Sequence, residues 1–111
     1  MPIRGTHILG KYSREDCARD IAICGEKLDR VYTRLTELEA DIQRSFTDLQ
    51  RYQNTILVSR RDTEGLREAV LEFRKENTFL GYLREKRDQY DSLKAEVEKR
   101  KSDLEWLLGT F

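Results

Sequence analysis

Residues 59–65 read SRRDTEG, and the fold depends on whether this stretch reverses the chain or lies inside one unbroken helix. A long amphipathic pattern runs up to it and a second one runs away from it. The three–four stepping of seam positions carries from Ile56 through Ser59 and Thr63 to Leu66 without losing phase, so periodicity alone permits a continuous helix. Three other features favour a turn. Ser59 and Thr63 would place two hydroxyls in succession on a buried seam. Thr63 can cap a following helix, with Glu64 in its first turn. Ser13 to Ser59 and Thr63 to Gly109 are both intervals of 46 residues, so two arms of equal length flank the stretch.

The pattern before the stretch is regular. Ile21, Cys24, Leu28, Val31, Leu35, Leu38, Ile42, Ser45, Leu49, Tyr52 and Ile56 make ten steps in 35 residues. That is the 3.5-residue period of a coiled coil rather than the 3.6-residue period of a globular surface helix. Ser13 can accept from the free N–H groups of the first turn, and Asp16 stands three residues on, in the capping-box position. A helix over about 13–58 follows.

After the stretch the apolar series runs Leu66, Val70, Phe73, Asn77, Leu80, Leu83, Arg87, Tyr90, Leu93, Val97, Arg100, Leu104 and Leu107. It is less clean, with three polar positions. Gly81 inside it costs about 1 kcal/mol against alanine in a helix interior, and could break the helix. Gly109 offers a C-terminal cap, giving a second helix over about 63–108. Folding the chain back pairs Ile56 with Leu66, Tyr52 with Val70, Leu49 with Phe73, Ile42 with Leu80, and Ser45 with Asn77. Beyond Gly81 the pairing slips by about one, to Leu38 with Leu83 and Cys24 with Val97. The Ser45/Asn77 pair would be a polar layer that fixes register.

The expected fold is therefore all-α: an antiparallel two-helix coiled-coil hairpin over 13–111, with an extended arm over 1–12 and a turn near 59–64. The competing reading is a single long helix in a parallel coiled-coil dimer, and a three-helix arrangement broken near Gly81 stands third.

Composition narrows the function. The chain has 111 residues, 38% of them charged, with 21 acids against 21 bases. Charge is well above the usual quarter but balanced, so no long-range field draws nucleic acid or an anionic membrane. Pro2 is the sole proline, leaving the rest of the chain free of a helix breaker. No apolar run has the length of a signal peptide or a membrane span. The expected setting is intracellular and cytoplasmic, compatible with a cytoskeletal or secretion-apparatus location.

No chemistry of a catalytic site is legible. His7 is the only histidine and sits in the arm, so a Ser/His/Asp site would lack a positioned base. Cys17 and Cys24 lie two helical turns apart, roughly 10 Å along one helix, too far for a disulfide. Two thiols and one histidine do not make a four-ligand zinc site. Surface pairs such as Glu15/Arg19, Glu26/Arg30 and Glu96/Arg100 read as solvated helix faces worth about a few tenths of a kcal/mol each. We expect no catalytic residue, no cofactor and no metal.

The expected function is a non-catalytic scaffold or adaptor subunit that joins protein partners in a larger assembly. The alternatives are a small chaperone-like hairpin, an export-apparatus stalk that binds clients or an ATPase, and a homodimeric spacer. In outline such a hairpin resembles the stalk proteins of flagellar and type III secretion ATPases, and tubulin-folding and cytoskeletal coiled-coil subunits. No motif ties the sequence to any one of these. A hairpin brings Ile8, Leu9 and Tyr12 of the arm beside Trp106, Leu108 and Phe111, more apolar surface than a two-helix seam needs; either the arm folds over Trp106, Leu108 and Phe111 to seal this end, or it is the first candidate dock. The turn end is the second, with Leu57, Val58, Arg60 and Arg61. Phe79 and Tyr82 beside Gly81 are a third, readable either as core at a helix break or as an exposed aromatic patch.

Overall fold

The computed structural model describes residues 11–58 and 63–111, together with their side chains except that of Thr63. The expected arm and the expected turn fall largely on residues outside that description, as does the proposed Thr63 cap. Two long helices account for nearly all of what is described: α1, Arg14–Val58, and α2, Thr63–Thr110. No strand occurs among the described residues.

The chain divides into two compact units, Met1–Thr33 with Ser92–Phe111, and Arg34–Asp91. In the first, the Cys17 thiol donates to the Leu104 carbonyl at 3.2 Å and the Tyr32 hydroxyl to Glu98 at 2.8 Å. Positions advancing along α1 meet positions receding along α2, so the pair is antiparallel. In the second, Arg87 meets Glu39 at 3.5 Å, and Ser45 shares a groove with Glu76 and Phe79, in the same sense. The fold is thus the all-α antiparallel helical hairpin, and these contacts within one chain exclude the single long helix.

The start of α1 forms as the residue types dictate. Ser13 N–H donates to the Asp16 carboxylate and Asp16 N–H to Ser13 Oγ, each at 3.1 Å. This reciprocal pair satisfies donors that the first turn leaves open. Accepting from Ser13 also holds the Asp16 carboxyl below its ordinary range, chiefly through the Ser13 backbone N–H.

The α1 seam is the one the period predicts. Cys24, Leu28, Val31, Leu38, Ile42, Ser45 and Leu49 are buried, and Ile21, Leu35, Tyr52 and Ile56 half-buried. Cys17 extends it one step earlier with no exposed surface. Both cysteines are free thiols, as their spacing requires.

The α2 seam needs correction. Asn77 and Arg100 are exposed and Leu93 largely so. An unbroken three–four alternation of inward residues runs Leu66, Ala69, Phe73, Glu76, Leu80, Leu83, Arg87, Tyr90, Lys94, Val97, Lys101, Leu104 and Leu108, with the expected Val70 and Leu107, and Lys86, half-buried beside it. The expected series leaves this line by one residue at Asn77, Leu93 and Arg100, because the strict heptad places Glu76, Lys94 and Lys101 at those seam positions. Long basic side chains tolerate such places by burying their stems and keeping the charge in water.

The Ser45/Asn77 layer therefore does not form. Ser45 is 2% exposed and its hydroxyl has no hydrogen-bond partner among the described residues. Gly81 does not break α2 either; it sits on the exposed face with φ in the ordinary range. Gly109 likewise is not a left-handed cap, and α2 runs through it to Thr110. There Thr110 Oγ1 donates to the Leu107 carbonyl at 2.7 Å and Phe111 N–H to that of Leu108 at 3.3 Å, which covers carbonyls a glycine cap would otherwise serve.

The expected four-residue ion pairs give way to three-residue ones. Arg19 pairs with Asp16 rather than Glu15, and Arg34–Glu37, Arg44–Asp41, Arg51–Asp48 and Lys75–Glu72 repeat that spacing. All lie on solvated faces.

Candidate functional site

Three surface regions collect the residues singled out in the sequence. The first lies in the Met1–Thr33/Ser92–Phe111 unit. Capping by Ser13 turns the chain just before α1, and this places Tyr12 within 6.4 Å of the Phe111 ring, centroid to centroid. The Tyr12 hydroxyl donates to Asp20. Giving that proton up would set a phenolate against a carboxylate, so the phenol is pushed up to about 12. Tyr12 and Phe111 are thus brought together. Leu108 is half-buried on the α2 seam and belongs to the helix pairing more than to an open surface.

Trp106 differs from its neighbours. It stands two residues after Leu104 on α2, is turned away from the seam, and is 73% exposed. No ring contact or hydrogen bond involves it among the described residues. An indole carries a large apolar face and one N–H donor, and leaving both in water gains the fold nothing. Ile8 and Leu9 lie outside the described residues, so their part in this surface is not described.

The second region is the end of α1 before residue 59. Leu57 and Val58 are exposed, at 70% and 75%, since three consecutive apolar residues span more of the helix than one seam can cover. Arg60 and Arg61 lie outside the described residues. A surface groove of about 470 Å³ runs here along α1 alone, lined by Thr47, Gln50, Arg51, Asn54, Thr55 and Val58.

The third region lies within Arg34–Asp91. Phe79 and Tyr82 are exposed and stacked, 6.5 Å apart with an 18° interplanar angle, and the Lys86 ammonium sits 5.5 Å over the Tyr82 ring. With α2 unbroken at Gly81, these rings are a surface patch rather than core. Phe79 also walls a groove of about 320 Å³ between the two helices, lined further by Asp41, Arg44, Ser45, Asp48 and Glu76. Sequence reasoning missed this groove. The signal that could have found it was the strict heptad, which puts Glu76 on the seam.

Among the described residues no group of three or more His, Cys, Asp or Glu side chains is placed to hold a metal ion, and no helix is long and apolar enough to cross a membrane. Comparison with protein-family models, with curated proteins and with solved structures finds no match.

Proposed function

We propose that this chain is a non-catalytic helical-hairpin scaffold or adaptor subunit that holds a protein partner at the end where Tyr12 meets Phe111. The observation that carries the reading is Trp106, a largely exposed indole on α2. Tryptophan anchors of this kind commonly dominate binding energy when a partner's pocket covers them. Phe111, half-exposed beside Tyr12, extends the apolar surface available there.

Tagged full-length chain and its Trp106→Ala variant, purified from the native cell type, test this. The wild type should carry a partner in fixed stoichiometry. The variant should lose it, because an anchor of this class contributes about 2 kcal/mol or more to binding. Helical content by circular dichroism should be the same in both, since Trp106 buries little within the chain. A complex that survives the substitution intact would overturn the proposal. Partner molecules that exchange rapidly and in variable ratio would instead favour the chaperone-like reading.

A further inference from the structure

We propose that the groove at Ser45, between α1 and α2 in the Arg34–Asp91 unit, is a subsite for an arginine side chain of a partner protein. Three observations converge there. Asp41, Asp48 and Glu76 put three carboxylates on the lining against one cation, Arg44. Ser45 lines the same groove with its hydroxyl buried and unpartnered. Phe79, about half exposed, supplies a flat aromatic wall.

Glu76 is the informative carboxylate. It is the one acid at an α2 seam position; of the bases there, Arg87 meets Glu39 at 3.5 Å and Lys94 meets the Tyr32 ring at 5.2 Å. Glu76 is half-buried and makes no ion pair or hydrogen bond among the described residues. Asp41 and Asp48 do have partners, Arg44 at 3.6 Å and Arg51 at 3.3 Å. Both arginines are solvent-exposed neighbours on the same helix, and such pairs are weak and readily exchanged.

The chemistry of the lining selects the occupant. Carboxylates are acceptors only, and a hydroxyl without a partner has free lone pairs. The complementary group offers several donors and no acceptor. A guanidinium does so in a planar fork that can bridge carboxylates and stack on Phe79, and it sheds water more easily than an ammonium. A metal ion is a poor match, because the carboxylates are not gathered into a coordination set. This subsite lies on different residues from Trp106, and Trp106→Ala should leave it unchanged, so the two proposals fail separately.

The test uses the full chain labelled with 15N and titrated with the capped peptide acetyl-Gly-Arg-Gly-amide, alongside its lysine and citrulline counterparts. Arginine should give saturable shifts confined to the amides of 41–48 and 76–79. Citrulline has the same shape without the charge and should bind about tenfold more weakly; lysine should fall between them. Glu76→Gln should weaken arginine binding by about the same factor. Ser45→Ala should also weaken it while raising the thermal midpoint, since the variant no longer buries an unsatisfied hydroxyl.

Shifts that never saturate, or that spread equally to Asp29, Glu37 and Glu39, would overturn the proposal. So would equal binding of citrulline, or unchanged arginine affinity in Ser45→Ala. Shifts at these amides on raising protein concentration alone, lost in Glu76→Gln, would place an arginine of a second copy in the groove and overturn the separate partner.

Discussion

The two units of the hairpin use the same pair of helices in different ways. In Arg34–Asp91 the core is five buried aliphatics, Leu38, Ile42, Leu49, Leu80 and Leu83, with Phe73 and Tyr90 packed on them. In Met1–Thr33/Ser92–Phe111 the cluster is Cys24, Leu28 and Val97 with Leu104 against it. The second unit makes up the difference with directed contacts: the Ser13/Asp16 capping box, Cys17 to the Leu104 carbonyl, Tyr12 to Asp20, and Tyr32 to Glu98. Hydrophobic burial scales with apolar area removed from water, so the leucine-rich unit tolerates an unpartnered hydroxyl at Ser45. The unit with smaller side chains relies on bonds of defined geometry.

The comparison breaks most directly at Leu38, which has no exposed surface. Leu38→Ala should cost about 3 kcal/mol in urea unfolding, the transfer loss plus the cavity left behind. Val97→Ala in the other unit removes less volume and should cost roughly half as much. Equal losses would mean the two clusters are equivalent, and the distinction drawn here would fail.

Next in size is the capping box. Ser13→Ala should cost about 1 kcal/mol at pH 7. The cap should also depend on pH in one direction, through Asp16. Asp16 has a lowered folded pKa, so its contribution is complete above the ordinary aspartate range and is lost as pH falls through the folded value. The wild type and Asp16→Asn should therefore converge in stability in acid, whereas Ser13→Ala keeps the backbone N–H that Asp16 accepts from; a wild-type-to-Asp16→Asn gap that stays constant into strong acid would show that the Asp16 carboxylate is not part of the cap.

Gly81→Ala tests the leucine-rich unit from its solvent side. A Cβ built there meets nothing within 4 Å and φ is not positive, so the variant should be stabler by up to about 1 kcal/mol. A destabilised variant would mean that the Phe79/Tyr82 surface needs the glycine. The smallest effect belongs to the exposed Tyr32–Glu98 bond. A double-mutant cycle with Tyr32→Phe and Glu98→Gln should give a coupling below that of the capping box. A larger one would make this cross-helix bond, and not the N-terminal cap, the leading directed contact of its unit.

Much of this was legible from residue order. The α1 seam follows from its alternation, and the capping box from Ser13 and Asp16, because both depend on local geometry that a few residues carry. The α2 face was less legible. Its strict heptad passes through Glu76, Lys94 and Lys101, and the expected series strays one residue from each, to Asn77, Leu93 and Arg100. Gly81 and Gly109 looked like places to stop, yet glycine only weakens a helix, and packing of the flanking leucines carries α2 through the first. Of the candidate regions, residue order singled out Leu57 and Val58 and the end that holds Tyr12 and Phe111, but not the Ser45 groove.

Sequence by itself determined that this chain is helical, that each helix has one coiled-coil face, and where α1 begins. These are consequences of period and of hydrogen-bonding groups within reach along one strand of chain. Tertiary structure decided the remainder: that α2 turns Glu76 rather than Asn77 inward, that Ser45 is buried without a partner, and that Trp106 is left in water while Leu104 and Leu108 are not. Those outcomes depend on which face of one helix meets the other. Within a 3.5-residue repeat, one step of rotation about the axis exchanges a buried neighbour for an exposed one, and only the opposing helix selects between them.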